Sequence, residues 1–216
     1  MTLEHLKAVW SDDITQDVHI FGEIITDGGA SHEEYKLFLE PYLKETRLGA
    51  YDFPLFQTVY NAFKEGGTLS SLVDPYCFGE ALSKSRAITF VITHDIPNNE
   101  VFNDLVMDER LEWLAYSYIL GRDGGVPLIY ADLGPSKIVN SLGAPRWKDQ
   151  WQMSAMAAKI EFHNRMHGLP MESLFADEES LVFARGEQGI VFINKSPNPK
   201  TVTVEWPYPM FDLLSN

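Results

Sequence analysis

The chain has 216 residues and carries 31 acidic against 17 basic side chains, a formal net charge of −14. That balance excludes electrostatic nucleic-acid binding, which needs a basic face to meet phosphates, and it argues against docking on anionic membranes. With 45% hydrophobic and 22% charged residues the chain is too apolar for disorder and long enough to bury a core, as one large domain or two small ones.

Val18 to Ile25 reads as a buried strand ending in the turn Thr26-Asp27-Gly28-Gly29. Ser31 can cap the next helix, with Glu33 and Glu34 in its first turn and an end near Leu43. Tyr51 to Phe53 is a short apolar patch stopped by Pro54, after which Leu55, Val59, Ala62 and Phe63 repeat at helical spacing. Ala87 to Thr93 is the clearest strand, rich in β-branched residues and running into His94-Asp95. The spacing predicts a long helix over Val101 to Leu120, a strand over Val126 to Tyr130 after the Gly124-Gly125 turn, and a helix over Trp147 to His167. Beyond Pro170 the rhythm changes: Leu181 to Arg185, Gly189 to Asn194 and Thr201 to Glu205 read as short strands between Gly and Pro turns.

Residues 1–169 therefore read as repeated βα units forming a parallel sheet or barrel, and residues 170–216 as a small antiparallel β-module. Four βα units make about half of an eight-stranded barrel, which typically needs roughly 250 residues. The single cysteine, Cys77, leaves no intrachain disulfide and fits a reducing compartment or a protein indifferent to redox. No run is long enough to cross a bilayer. Met1 to Lys7 shows no basic region followed by an apolar stretch, so no secretory leader is visible; this favours the cytoplasm but leaves the location open, because the chain reads as beginning within a longer architecture.

Catalytic groups of parallel α/β barrels sit at the C-terminal ends of strands, where loops converge. Two carboxylates occupy such places. Glu23 follows Gly22, whose missing side chain is expected to leave room for a ligand, and Asp95 follows the second clear strand beside His94. Glycoside hydrolysis asks for a carboxyl that protonates the leaving oxygen and for groups that grip the distorting sugar. Blander alternatives stand beside this. Glu23 could pair with a neighbouring helix, and Asp95 could cap the helix that begins near Pro97. His163 and His167 share a helix face at a spacing that can bind zinc, but no third ligand is evident. The five tryptophans could stack on sugars, though core packing explains most of them. Asn194-Lys195-Ser196 fits a glycosylation sequon, a pattern short enough to arise by chance.

Phe21-Gly22-Glu23 resembles the segment around the general acid of the α-amylase family of glycoside hydrolases, and Phe90-Val91-Ile92-Thr93-His94-Asp95 resembles that family's strand-seven motif, Phe-Val-x-Asn-His-Asp. Tyr51 to Leu55 is similar to the strand-six segment. Ala115 to Gly134 is similar to the helix, Gly-x-Pro turn and apolar strand that follow. Arg146-Trp147, Phe162-His163-Asn164, Phe183 to Gly186 and Val191 to Lys195 look like the last helix and the start of the C-terminal β-module. These matches run in the family's order from about Val18 to Thr203.

The resemblance implies half of a (β/α)8 barrel, about strands five to eight, followed by a small β-module. It makes Glu23 the general acid/base, Asp95 the group that stabilises the transition state, and His94 a hydrogen-bond donor to the same sugar, with an α-1,4-glucan as substrate. Thr93 stands where the family usually has Asn. The family's nucleophile, an Asp within a Gly-x-Arg-x-Asp-type motif upstream of the acid, has no match: Asp12, Asp13 and Asp17 lack the flanking strand, Arg and His. Leu3 to Trp10 looks like the helix that follows the nucleophile strand. Most ligands of the family's structural calcium are missing too, so no cofactor is expected in this chain and calcium is expected only in a full-length relative. Without the nucleophile the chain alone is expected to be inactive. A second copy closing a pseudo-barrel, or a partner supplying the first half, is expected, because open strand edges associate. A non-catalytic carbohydrate-binding or assembly module remains the alternative, and an unrelated metal-using hydrolytic barrel a third reading.

Overall fold

The computed structural model describes residues 20–24, 35–75, 81–132 and 136–208. The expected helix over Leu3 to Trp10, the residues Asp12, Asp13 and Asp17, the turn Thr26 to Gly29, the cap at Ser31 and Cys77 lie outside the described residues.

Four short strands form the first sheet: β1 (Phe21–Gly22), β2 (Gly49–Tyr51), β3 (Ala87–Phe90) and β4 (Val126–Leu128). They pair in chain order, all in parallel, with Phe21 beside Gly49, Tyr51 beside Ile88 and Phe90 beside Leu128. Parallel neighbours need long crossovers, and helices supply them. A π-type turn (Tyr35–Leu39) leading into α1 (Glu40–Glu45) lies between β1 and β2, and α2 (Phe53–Phe63) between β2 and β3. α3 (Asp95–Asn98) and α4 (Glu109–Gly121) lie between β3 and β4, and α5 (Ser154–Arg165) follows β4. All four side chains of β3 are buried, as its β-branched and aromatic composition requires.

The core sits where α2 meets β3 and α4. Leu55, Phe56, Val59, Ala62 and Phe63 of α2 are buried along one stripe, and Phe90 stacks on Phe56 with ring centroids 5.2 Å apart. Asp52 starts this helix: its carboxylate accepts from the backbone N–H of Leu55 at 3.0 Å, and both its oxygens accept from Leu82 N–H at 3.1 Å. Arg86, at the entrance to β3, donates to the carbonyls of Leu43 at 2.6 Å and Leu48 at 2.8 Å, so the approach to β2 is fixed against β3. The turn into β4 needs glycine at Gly125, whose φ is 78° and where a Cβ would come within 2.6 Å of Thr89.

The second sheet is antiparallel, β5 (Met171–Ala176), β6 (Ser180–Arg185) and β7 (Gly189–Asn194) in that order. Arg185 anchors it. Its Nη1 donates to the carbonyls of Gly121 and Arg122, each at 2.6 Å, and its Nη2 to Met166 at 2.8 Å, so one buried guanidinium satisfies the ends of α4 and α5. Lys195 treats α2 alike, donating to Ala62 at 2.7 Å and Gly67 at 2.6 Å.

Several sequence expectations shift. The helix expected from Val101 begins at Glu109, because Asp108 accepts from Arg110 N–H at 3.0 Å and caps it there. The helix expected from Trp147 begins at Ser154: Asp149 is left-handed, with φ 55°, and Trp147 is drawn into the core. Thr201 to Glu205 pairs with nothing among the described residues, whereas Met171–Ala176, not expected as a strand, pairs with β6. The chain is thus an α/β protein with a parallel sheet followed by an antiparallel one.

Candidate active site

Parallel pairing brings the C-terminal ends of the four strands to one edge, and the candidate residues gather there. Glu23 lies one residue past β1 and is exposed. Among the described residues its carboxylate makes no hydrogen bond or ion pair, so the helix-pairing alternative finds no partner there. Asp95 is the first residue of α3, and His94 holds the cap position without a side-chain capping bond. Asp95 therefore does not cap the helix; its carboxylate lies 3.5 Å from His94 Nε2. The carbonyl of His94 accepts from Asn98 Nδ2 at 2.7 Å, and the same amide lies 3.4 Å from the Tyr130 hydroxyl beyond β4.

Gly22 does not leave room for a ligand. A Cβ there would lie 2.9 Å from the hydroxyl of Tyr42, whose ring fills that space. Thr93 is buried at 2% exposure, so the position where Asn is usual in the resembling motif presents no exposed polar group.

What joins Glu23 to Asp95 is Tyr51, at the C-terminal end of β2. Its ring is half-buried and meets Phe21 edge-on at 5.3 Å and Phe90 edge-on at 5.6 Å. Burial, and then the negative charges of Glu23 and Asp95, hold its phenol above the usual tyrosine value. The charges of both carboxylates thus converge on one hydroxyl. Sequence reasoning placed Tyr51 only within a strand motif; its position at a strand end was the available signal.

Below this edge the polar groups are structural. Glu112 accepts from Trp147 Nε1 at 2.8 Å and from Arg146 Nη2 at 3.0 Å, while burial pushes its carboxyl above the usual range. Trp147 is therefore a core residue, and Trp113 lies under Lys159 with the ammonium 5.4 Å from its centroid. His163 gives a ring nitrogen to the Leu120 carbonyl at 3.2 Å, and burial lowers its pKa. Among the described residues no group of three His, Cys, Asp or Glu side chains is placed to hold a metal ion, so His163 and His167 gain no third ligand of these types there.

Carboxylates at the C-terminal ends of parallel strands are an arrangement that α/β enzymes use for their sites. No protein-family model matches the chain. Over 190 residues, 88% of this chain, it is 44% identical to an α-amylase of Aeromonas hydrophila, of which the match covers 40%. α-Amylase I from Eisenia fetida superposes with a TM-score of 0.62 at 19% identity, over 88% of this chain and 43% of that one. An α-amylase from Malbranchea cinnamomea superposes with a TM-score of 0.58 at 19% identity, over 88% and 41%. The structural likeness shows the fold. Taken with the sequence identity, it places this chain in the α-amylase family, and the chain spans about 40% of the length of the curated relative it matches.

Proposed function

We propose that the chain supplies the acid/base side of a retaining glycoside hydrolase that acts on α-1,4-glucans, its four parallel strands being half of a (β/α)8 barrel. The observation that carries this is the placement of Glu23 after β1 and Asp95 after β3 at the same C-terminal end of one parallel sheet, in a chain 44% identical to an α-amylase. Glu23 protonates the glycosidic oxygen as the bond to C1 breaks, and then takes a proton from the water that releases the sugar. Asp95 accepts hydrogen bonds from sugar hydroxyls that strengthen as positive charge grows on the ring. His94 donates to the same sugar.

In this reading the nucleophilic carboxylate and the other strands are supplied by further polypeptide, in a longer chain or a partner that bears the nucleophile motif; a second copy of these 216 residues would add strands but no nucleophile. β1 and β4 are the outermost strands of the parallel sheet among the described residues, and outermost strands are where further strands of a barrel would pair. Closure would also give Glu23 the partial burial that a general acid needs. Calcium, implied by the family, belongs in this proposal to the completing polypeptide.

The test is to combine the chain with a polypeptide bearing the four complementary strands and to follow maltoheptaose. Hydrolysis with retained anomeric configuration, absent from the chain alone, is the expected result. Sugar binding without hydrolysis in the assembled protein would favour the non-catalytic carbohydrate-binding module.

A further inference from the structure

We infer that Tyr51 is a further sugar-contacting residue of this site, its half-buried ring held edge-on between Phe21 and Phe90 and its hydroxyl donating to a glucose unit gripped by Glu23 and Asp95. This rests on the assignment of those two carboxylates to the sugar site.

Position comes first. Phe21 belongs to β1 and Phe90 to β3, so the two strands that flank β2 each set an aromatic edge against the Tyr51 ring, at 87° and 81°. A ring wedged in this way has lost its rotational freedom before any ligand arrives, which lowers the entropic cost of contact. Such a side chain offers an apolar body and a polar tip, which suits a sugar, whose ring has C–H faces and a rim of hydroxyls.

Chemical complementarity comes second. The carboxylates of Glu23 and Asp95 when ionised only accept hydrogen bonds, whereas a sugar hydroxyl both donates and accepts. The Tyr51 phenol adds a donor, and among the described residues it makes no hydrogen bond of its own. A ligand hydroxyl is well placed to use it. Burial, and then the charges of Glu23 and Asp95, raise the pKa of the phenol, which keeps it protonated as a donor.

Calorimetric titration of the full 216-residue chain with maltoheptaose tests this on three proteins: the parent, Tyr51→Phe and Tyr51→Ala. Tyr51→Phe keeps the ring and both edge contacts, so its thermal midpoint should match the parent. Loss of one hydrogen bond should weaken binding about three- to tenfold. Tyr51→Ala, which removes the platform as well, should weaken it by more than about tenfold. Asp95→Asn separates this inference from the site assignment. If the parent binds and Asp95→Asn weakens it while both Tyr51 variants bind as the parent does, Tyr51 is not a contact and the site stands. If the parent shows no binding at millimolar sugar, or if Asp95→Asn leaves binding unchanged, the site assignment falls and the Tyr51 contact with it.

Discussion

The hydroxyl of Tyr42 donates to the carbonyl of Gly49 at 2.9 Å while its ring lies over Gly22, so helix α1 touches β1 through a residue that has no side chain. A Cβ on Gly22 would stand 2.9 Å from that hydroxyl and 3.3 Å from the ring carbon bearing it. The glycine before the candidate acid is there for packing. Gly22→Ala should push Tyr42 off the Gly49 carbonyl and destabilise the chain by about 1–2 kcal/mol, in the range of overpacking costs. Tyr42→Phe removes the closest atom, so the double variant should lose less than the sum of the single ones in urea denaturation.

Glu112 is a buried carboxylate, 1% exposed, to which Trp147 and Arg146 both donate. Removing it leaves the Arg146 guanidinium, itself 8% exposed, facing the Met107 carbonyl alone. Glu112→Ala should therefore cost about 3–5 kcal/mol, as breaking a buried pair usually does. Urea denaturation checks this, and a loss under about 1 kcal/mol would show the pair to be idle.

Asp52 gives the stability a defined dependence on pH. Burial lifts its carboxyl from 3.8 to about 6, against the pull of the Leu55 N–H and of Arg122. A raised acid binds its proton more tightly in the folded state, so stability from this group is fully present below about pH 4, is lost as pH rises through 6 and is flat above. The span corresponds to about 3 kcal/mol. Asp52→Asn keeps an acceptor and cannot ionise, so the difference in unfolding free energy between it and the parent should change between pH 4 and 6 and be constant above 7. Parallel curves across that range would show that the buried carboxylate does not titrate there.

Much of this was legible in the sequence where one local signal coincided with the tertiary need. Ala87 to Phe90 is apolar, β-branched and central in its sheet, and the stripe from Leu55 to Phe63 has one period and one buried face. Glu23 and Asp95 were legible as strand-end carboxylates. What escaped was decided by contacts between distant residues. Glycine at position 22 answers to a ring twenty positions later. Trp147 reads as helical until Glu112 draws it inward, and Asp149 then turns the chain through a left-handed residue. Met171–Ala176 buries no residue completely, so pairing with β6 makes it a strand, while Thr201 to Glu205 has the alternation of a strand and no neighbour among the described residues. Tyr51 escaped because its role depends on three strands at once.

The most direct measurement is the rate of maltoheptaose hydrolysis by the chain assembled with the complementary strands, comparing the parent with Glu23→Gln. Loss of a general acid/base should lower kcat by about a hundred- to ten-thousandfold, and by less on an aryl α-maltoside whose leaving group needs no proton. Equal rates for the two proteins on maltoheptaose would show that Glu23 is not the acid.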